Sequence, residues 1–277
     1  MKHDETHLEQ YRQDGYCIIP QFASEKEVED LKAGMQSLLP EISEEQFSVF
    51  STSRQETTSD RYFLESGDKV RCFYEDAAVL PGEKAPPVNK VGHALHDRID
   101  VYRAFSYQDK MRSLAEGLGI EKPAIIQSQY IFKRSGVGGE VRPHDDSTFI
   151  YTDPQTCVGL WLALDPATVE NGCLWALPGS HREAEVIRRF VRNSDGASTS
   201  FIEMGGMEKA VDLAKGIPLE AKPGDLVLLH GSLVHWSQKN ESDRSRNAFV
   251  LHLIDQVADY PSDNWLQRSA DYPIQNL

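Results

Sequence analysis

The sequence has little positive charge and no long apolar run. Its 277 residues carry 29 lysines and arginines against 43 aspartates and glutamates, a formal net charge of −14. Such a surface repels nucleic acid phosphates, so we expect no nucleic acid partner. No apolar stretch approaches the length that crosses a bilayer, and we expect no membrane span. A hydrophobic content of 40% is nevertheless enough for a sizeable core.

Cysteine is scarce, and recognisable targeting signals are missing. The chain has four cysteines, and no two of them form a CxxC pair, so a zinc knuckle is not indicated: Cys17, Cys72, Cys157 and Cys173. We interpret them as reduced thiols of an intracellular protein. The first residues lead into a polar helix rather than an apolar signal core, and Gln275-Asn276-Leu277 is not the Ser-Lys-Leu peroxisomal address. We therefore expect a cytoplasmic protein, with a peroxisomal location left open and the oligomeric state not indicated.

The order of the predicted elements indicates the fold class. Ser24 and Glu27 form a capping box at the start of one helix, which Pro40 is expected to end. Further helices are predicted over residues 4–13 and 97–117, a short strand over Tyr16–Ile19, and loops over 41–60 and Leu80–Val88. Short β-rich segments then follow near 124–133, 147–151, 157–164, 173–177, 217–221, 226–229 and 247–254.

Helices followed by many short strands predict a mainly β fold with flanking helices, and a jelly roll is the two-sheet architecture that fits best. We expect a single domain over 1–277. Its parts are a helical buttress with partial strands over 1–120, a jelly-roll core over 121–256 and a C-terminal tail over 257–277.

A candidate metal-binding motif lies in the β-rich part. Alternate residues of an extended segment point to the same side, so His144 and Asp146 are aimed together and Asp145 points away if 144–151 is strand-like. His235 follows about ninety residues later, five positions beyond His230, which we interpret as a capped histidine of the core. Two histidines and one carboxylate can hold Fe(II) on one face and leave three positions open for cosubstrate and O2.

An arginine near the last predicted strand is a candidate anchor for a carboxylate. Arg246 precedes the apolar segment 247–254, where a guanidinium can bind a carboxylate through two hydrogen bonds. Arg244 is an alternative, and both residues are equally compatible with a solvated surface position.

Two other clusters leave alternatives open. Arg182, Arg188, Arg189 and Arg192 either face an anionic substrate or belong to a helix face paired with Glu183 and Glu185. His93 and His96 either form a second metal site or, as we favour, lie together at the start of a helix.

With these motifs, the chain resembles the phytanoyl-CoA dioxygenase family, nearest to the plant phytanoyl-CoA 2-hydroxylases and the animal phytanoyl-CoA dioxygenase domain-containing proteins. The resemblance covers almost the whole chain and is carried by six segments: Asp14-Gly15-Tyr16, residues 89–96, 127–133, 138–144 and 171–181, and Ser242–Arg246.

The resemblance implies a double-stranded β-helix that binds Fe(II) through His144, Asp146 and His235. It implies 2-oxoglutarate at Arg246, in a pocket lined by three further residues: Lys90, Gln129 and Trp161. Relatives often have Gln where this chain has Asp145 and Met where it has Gln129. Neither departure removes a metal ligand, so both concern the identity of the substrate rather than iron binding.

We therefore expect an Fe(II)- and 2-oxoglutarate-dependent dioxygenase with O2 as second cosubstrate. It would hydroxylate an unactivated C–H of a small-molecule or acyl substrate, acyl-CoA included, and release succinate and CO2. The alternatives are a non-catalytic jelly-roll protein that binds a metal or a partner, and a metal-dependent hydrolase or isomerase on a cupin barrel.

Overall fold

The computed structural model describes residues 5–42, 49–50, 61–76, 86–205 and 211–277. The helices are α1 (Glu5–Asp14), α2 (Glu25–Ile42), α3 (Arg61–Leu64), α4 (Leu95–Arg98), α5 (Asp100–Ser106) and α6 (Asp109–Gly117). The strands are β1 (Tyr16–Ile19), β2 (Val49–Phe50), β3 (Val70–Glu75), β4 (Val88–His93), β5 (Pro123–Lys133), β6 (Val141–His144), β7 (Val158–Ala163), β8 (Leu174–Ala176), β9 (Arg188–Arg192), β10 (Thr199–Glu203), β11 (Ile217–Leu219), β12 (Leu226–His230), β13 (His235–Ser237) and β14 (Arg246–Asp255). Single 3-10 turns occur at Asp146–Thr148, Ser180–Glu183 and Leu213–Lys215.

The larger sheet has eight strands in the order β1-β12-β7-β14-β5-β4-β3-β2, antiparallel except for the β2–β3 pair. Its central strands β7, β12 and β14 are short apolar runs buried along nearly their whole length. Such runs are typical of strands that are covered on both faces. On one face they pack against the helices, where Leu31 of α2 and Leu114 of α6 share a core with Phe249.

The smaller sheet has four strands in the order β11-β8-β13-β6, and β9 and β10 form a separate hairpin. An apolar cluster joins the two sheets: Trp161 and Val250 from the larger sheet pack with Leu174 and Leu219 from the smaller one. Two antiparallel sheets packed face to face with helices on the outside confirm the predicted mainly β jelly roll. Strands from the first 120 residues are hydrogen-bonded into the same sheet as β5, β7, β12 and β14.

The first long helix begins as predicted and ends later than predicted. The main-chain N–H of Ser24 donates to Glu27 Oε2 (2.7 Å), and the N–H of Glu27 donates to Ser24 Oγ (3.3 Å), which is the reciprocal capping box. The expectation that Pro40 stops the helix is wrong, because α2 includes Pro40 and ends at Ile42. A proline removes one main-chain hydrogen bond and crowds the preceding turn, but only two residues of the helix follow Pro40, so the disruption is confined to its last turn.

Most predicted segments coincide with observed elements, and one is wrong. The segment 147–151 is not a strand: the strand before it ends at His144, and a 3-10 turn covers Asp146–Thr148. Asp145 starts this turn by accepting a hydrogen bond from the main-chain N–H of Thr148 (2.8 Å) and another from Thr148 Oγ1 (3.0 Å). A local aspartate cap therefore overrides the β-branched and aromatic composition of the segment.

The predicted loops over 41–60 and Leu80–Val88 fall largely outside the described residues. At their described edges, residues 41–42 end α2, Val49–Phe50 form β2, and Val88 begins β4. No described helix combines the length and the apolar character needed to cross a membrane. All four cysteines are buried as free thiols.

Candidate metal centre and adjoining pocket

His144, Asp146 and His235 converge between two paired strands of the smaller sheet. His144 ends β6 and lies directly opposite His235 at the start of β13. Asp146 Oδ1 lies 3.8 Å from His144 Nε2 and 3.7 Å from His235 Nε2. One ligand atom from each residue lies within 4.8 Å of the others, and among the described residues this is the one such group of histidine, cysteine and acidic side chains.

Main-chain carbonyls fix the orientation of both imidazoles. His144 Nδ1 donates to the carbonyl of Arg142 (2.8 Å), and His235 Nδ1 donates to the carbonyl of Leu233 (3.0 Å). With the proton held on Nδ1, each Nε2 presents a lone pair toward the Asp146 carboxylate. In both cases the ring donates to the carbonyl of the residue two positions earlier in the chain. This hydrogen bond orients both rings as ligands.

The electrostatics of Asp146 suit an anionic ligand. Burial alone would raise the pKa of this carboxyl, but His235 and His252 beside it hold the pKa well below its usual range. Burial lowers the pKa of His144 to about 4, and the neighbouring His235 contributes. Two imidazoles that each direct Nε2 to a shared point, together with one carboxylate and a cavity on one side, are the donor set that non-haem Fe(II) sites use. The residues present therefore fit the expected metal.

Asp145 lies apart from this group. Its carboxylate is used by the turn that it caps, and burial raises its pKa. Asp146 rather than Asp145 therefore lies with His144 and His235, as expected, although a capped turn rather than strand alternation produces this arrangement.

The three residues border a cavity of about 210 Å³ between the two sheets. At its far end Arg246, the first residue of β14, lies opposite Lys133, the last residue of β5. Arg246 is 3% exposed and its Nη2 donates to the carbonyl of Gly172 (2.7 Å), while its Nε has no partner among the described residues. Burial lowers its pKa to about 10.

Lys133 adds a second buried cation beside Arg246. Its Nζ donates to the carbonyl of Gly139 (2.9 Å) and to Ser237 Oγ (2.8 Å). Burial, reinforced by Arg246, holds the pKa of this lysine well below its usual range. Within the described ranges neither cation forms an ion pair with a carboxylate. Gly172 (φ +77°) makes the arrangement possible, because a Cβ there would lie 2.4 Å from Lys133 Cε.

The other residues predicted for the cosubstrate also line the cavity: Lys90 from β4, Gln129 from β5 and Trp161 from β7. The guanidinium of Arg246 lies 5.1 Å from the centre of the Trp161 ring. Burial lowers the pKa of Lys90 to about 7, and Glu75 partly opposes this effect. Contact with a cosubstrate stays a prediction for all three residues.

The alternative residues lie elsewhere. Arg244 is exposed, and its Nε lies 3.8 Å from Asp243 Oδ1. His230 Nδ1 accepts the main-chain N–H of Ser232 (3.1 Å), and its ring faces His181 away from the metal group. His93 ends β4 with Nδ1 2.7 Å from Ser66 Oγ, whereas His96 lies in α4 with Nδ1 2.7 Å from Ser128 Oγ.

The arginines of 182–192 are used mainly within the fold. Of the two alternatives, the helix face is wrong, because Arg188–Arg192 form strand β9. Arg189 Nη2 donates to Asp263 Oδ1 (2.5 Å), and Arg192 Nε donates to the carbonyl of Trp265 (2.8 Å), so both hold the C-terminal tail. Arg182 Nε donates to the carbonyl of Gln13 at the end of α1 (2.8 Å).

An aromatic wall lines the cavity on the side of His144. Phe149 packs edge-on against the His144 ring with centroids 6.0 Å apart, and Phe190 follows at 5.7 Å from Phe149. Phe63 and Trp265 stack at 4.4 Å and complete the wall. We call these four rings the aromatic wall.

Neither the aromatic wall nor six polar residues of the pocket were predicted for the site: Glu75, Asn89, Gln127, Lys133, Ser237 and His252. For Lys133 a signal existed, because residues 129, 131 and 133 of one strand share a face.

Comparisons with known proteins agree with this description. The family described as "Phytanoyl-CoA dioxygenase (PhyH)" matches residues 11–248. "Phytanoyl-CoA dioxygenase" of Arabidopsis thaliana is 42% identical over 268 residues, covering 95% of this chain and 93% of that protein. "Phytanoyl-CoA dioxygenase domain-containing protein 1 homolog" of Dictyostelium discoideum is 41% identical over 282 residues, covering 99% of this chain and all of that protein (100%).

Two solved structures share the fold at lower identity. EctD from S. alaskensis with bound Fe has a TM-score of 0.66 at 17% identity, covering 97% of this chain and 83% of that chain. The non-heme alpha ketoglutarate dependent epimerase SnoN from nogalamycin biosynthesis has a TM-score of 0.65 at 17% identity, covering 98% and 97%. At these identities the likeness establishes the jelly roll.

Proposed function

The chain belongs to the phytanoyl-CoA dioxygenase family, and from that premise we propose that the pocket between its two sheets is the active site. The protein is an Fe(II)- and 2-oxoglutarate-dependent dioxygenase, with O2 as the other cosubstrate. Our proposal concerns which of its residues carry out each part of this reaction.

His144, Asp146 and His235 would hold Fe(II), with their Nε2, Oδ1 and Nε2 atoms as ligands. When bound, iron and 2-oxoglutarate supply the activation of O2 that oxidises a C–H bond of the substrate, with succinate and CO2 released. The two main-chain carbonyls keep both imidazoles in the ligating tautomer. Asp146 would offer its carboxylate without first having to lose a proton, because its pKa lies well below its usual range.

Arg246 and Lys133 would bind the far carboxylate of 2-oxoglutarate, and this pair of buried cations is the observation that carries the proposal. A buried charge without an ion-pair partner is costly, and Glu75 opposes the effect of burial on Lys133 only in part, so the two cations favour an anion that enters the site. The guanidinium of Arg246 offers a planar fork of donors that matches a carboxylate. Trp161, Gln129 and Lys90 would line the carbon chain of the cosubstrate on the sheet side.

The substrate would lie against the aromatic wall. Phe149 is next to the His144 ring, so an apolar group that packs on Phe149 and Phe190 is close to the metal centre. The same rings limit the access of water to the reacting atoms. We therefore propose a small-molecule or acyl substrate that presents an apolar segment to this wall, with acyl-CoA among the acyl forms.

The four free, buried thiols support a reducing compartment, and we propose a cytoplasmic location. We further propose that residues 1–277 act as one dioxygenase domain, since β1, β3 and β4 extend the sheet that also carries Arg246.

A matched pair of substitutions tests the metal centre. Asp146→Asn and Asp145→Asn make the same carboxylate-to-amide change at adjacent residues. Asn at 145 can still accept the hydrogen bond from the main-chain N–H of Thr148. With Fe(II) and 2-oxoglutarate but no added substrate, we expect Asp146→Asn to abolish succinate formation and Asp145→Asn to retain most of it. In an anaerobic titration, Asp145→Asn should show the weak visible band of the iron–keto acid chelate, and Asp146→Asn should not. Equal losses in both variants would refute this ligand assignment.

A further inference from the structure

A third histidine lies against the proposed metal ligand Asp146 from the opposite side. His252 is on β14, in register with Gly159 of β7 and with Gln127 of β5, and is 7% exposed. Its Nε2 lies 3.4 Å from Asp146 Oδ2. The other carboxylate oxygen, Oδ1, faces His144 and His235. The carboxylate is therefore held between two ligand histidines on one oxygen and a third histidine on the other.

The larger sheet provides the space in which this carboxylate lies. A Cβ at Gly159 would be 3.0 Å from Asp146 Oδ2, closer than most real side-chain contacts, so the missing side chain leaves room for that oxygen. In the part of the chain that the structure describes, the side-chain nitrogen that faces Oδ2 is His252 Nε2, at 3.4 Å, which is long for a hydrogen bond. Gly159 and His252, neighbours across two strands, thus form a seat for one oxygen of the carboxylate.

Among the described residues, the other ring nitrogen of His252 makes no competing hydrogen bond. Its Nδ1 is buried and has no hydrogen-bond partner among the described residues. A buried nitrogen without a partner is unusual and costly, so the position of the ring is favoured by its Nε2 contact. With the proton on Nε2, the ring donates to Asp146 and leaves a bare lone pair on Nδ1.

We propose that His252 is a positioning residue of the metal centre. By donating from Nε2 to Asp146 Oδ2, it fixes the rotation of the carboxylate so that Oδ1 points to the position shared by the Nε2 atoms of His144 and His235. Partners that orient a ligating carboxylate in this way commonly contribute 10- to 100-fold, roughly, to metal affinity. This inference rests on the proposed function, because it assumes that Asp146 binds the metal.

Two substitutions of similar polarity separate a positioning role from a merely structural one. Gln at 252 is long enough to place an amide N–H near the position of Nε2, whereas Asn places its amide near Nδ1, out of reach of Asp146. Anaerobic titration of the metal-free protein with Co(II), followed by its visible absorption, measures metal affinity without any turnover. We expect His252→Gln to bind Co(II) nearly as tightly as the unmodified protein and His252→Asn to bind it about 10- to 100-fold more weakly.

His230→Asn is the matched control, because it makes the same change in a half-buried histidine that does not face Asp146. It should leave Co(II) affinity unchanged. Thermal unfolding of each metal-free variant shows whether its fold is intact. If His252→Asn does not fold, His252→Met takes its place, because methionine fills similar space and has no hydrogen-bond donor. Equal affinity of the donor-free variant, the Gln variant and the unmodified protein would overturn the inference.

Failure of the proposed function has a different signature. If the unmodified protein binds no Co(II), or if Asp146→Asn binds it as well as the unmodified protein does, the ligand assignment itself is wrong. If Asp146→Asn loses the metal while both His252 variants keep it, the metal centre stands and the role of His252 is refuted.

Discussion

Arg246→Met should raise the free energy of unfolding of the protein without 2-oxoglutarate, and it should weaken the binding of 2-oxoglutarate. Burial lowers the pKa of Arg246 from 12.5 to about 10, and at ~1.4 kcal/mol per pH unit the buried charge costs roughly 3 kcal/mol. Loss of the hydrogen bond to the Gly172 carbonyl offsets about 1–2 kcal/mol of this gain. Methionine fills similar apolar space, so the free energy of unfolding without 2-oxoglutarate should rise by about 1–2 kcal/mol.

Cosubstrate affinity should move in the opposite direction. A paired, charge-assisted contact with a carboxylate contributes about 2–4 kcal/mol, so the Kd for 2-oxoglutarate should rise about 30- to 1000-fold. Thermal unfolding with and without 2-oxoglutarate measures both effects: the melting temperature of the empty variant rises by about 2–6 °C, and its shift on adding the cosubstrate shrinks. Arg244→Met is the control, since that arginine is exposed and should change neither quantity. An empty Arg246→Met protein less stable than the unmodified one by more than about 2 kcal/mol would contradict the argument that the pocket stores an uncompensated charge.

Three further substitutions test separate parts of the structure. Gly159→Ala should weaken Co(II) binding measured by titration, because the new Cβ would lie 3.0 Å from Asp146 Oδ2, and an unchanged affinity would show that the carboxylate has room to move. Burial lowers the pKa of Lys90 to about 7. Between pH 7 and about 10, Lys90 therefore carries a proton in the unfolded chain that it lacks in the folded protein. The free energy of unfolding, measured with urea, should rise over this range by up to ~1.4 kcal/mol per pH unit. Lys90→Met should remove this part of the rise, and an identical pH profile in the variant would assign it to another group. Arg268→Met leaves buried Asp97 without the contact from Arg268 Nη1 (2.9 Å) and should lower the free energy of unfolding by about 3–5 kcal/mol, whereas a loss below 1 kcal/mol would mean that this pair does not anchor the tail.

The fold could be predicted where a residue's own neighbours decide its structure. The apolar runs of β7, β12 and β14 have no alternative to burial between layers, and the capping box at Ser24 is complete within four residues. Prediction failed where two local signals compete. Residues 147–151 have the composition of a strand, but Asp145 binds the Thr148 N–H and turns the chain.

The convergence of the three candidate ligands was predictable from the sequence, and the residues around them were less so. His144 and Asp146 are only two residues apart, so several local structures can direct both side chains to the same point. The motif is therefore visible in the sequence. Lys133 becomes relevant only through its register opposite Arg246, and His252 only through Asp146. Both relations join residues more than a hundred positions apart, and no local pattern encodes such a pairing.

The aromatic wall and the metal centre come mostly from different stretches of the polypeptide. Phe63 belongs to a short helix, Phe190 to the β9–β10 hairpin and Trp265 to the tail, and none of these stretches carries one of the three metal-facing residues. A mutation in any of them can reshape the space beside the three candidate ligands without changing those ligands. Descendants of such a gene can thus exchange one substrate for another through single changes while the oxidising chemistry is inherited intact.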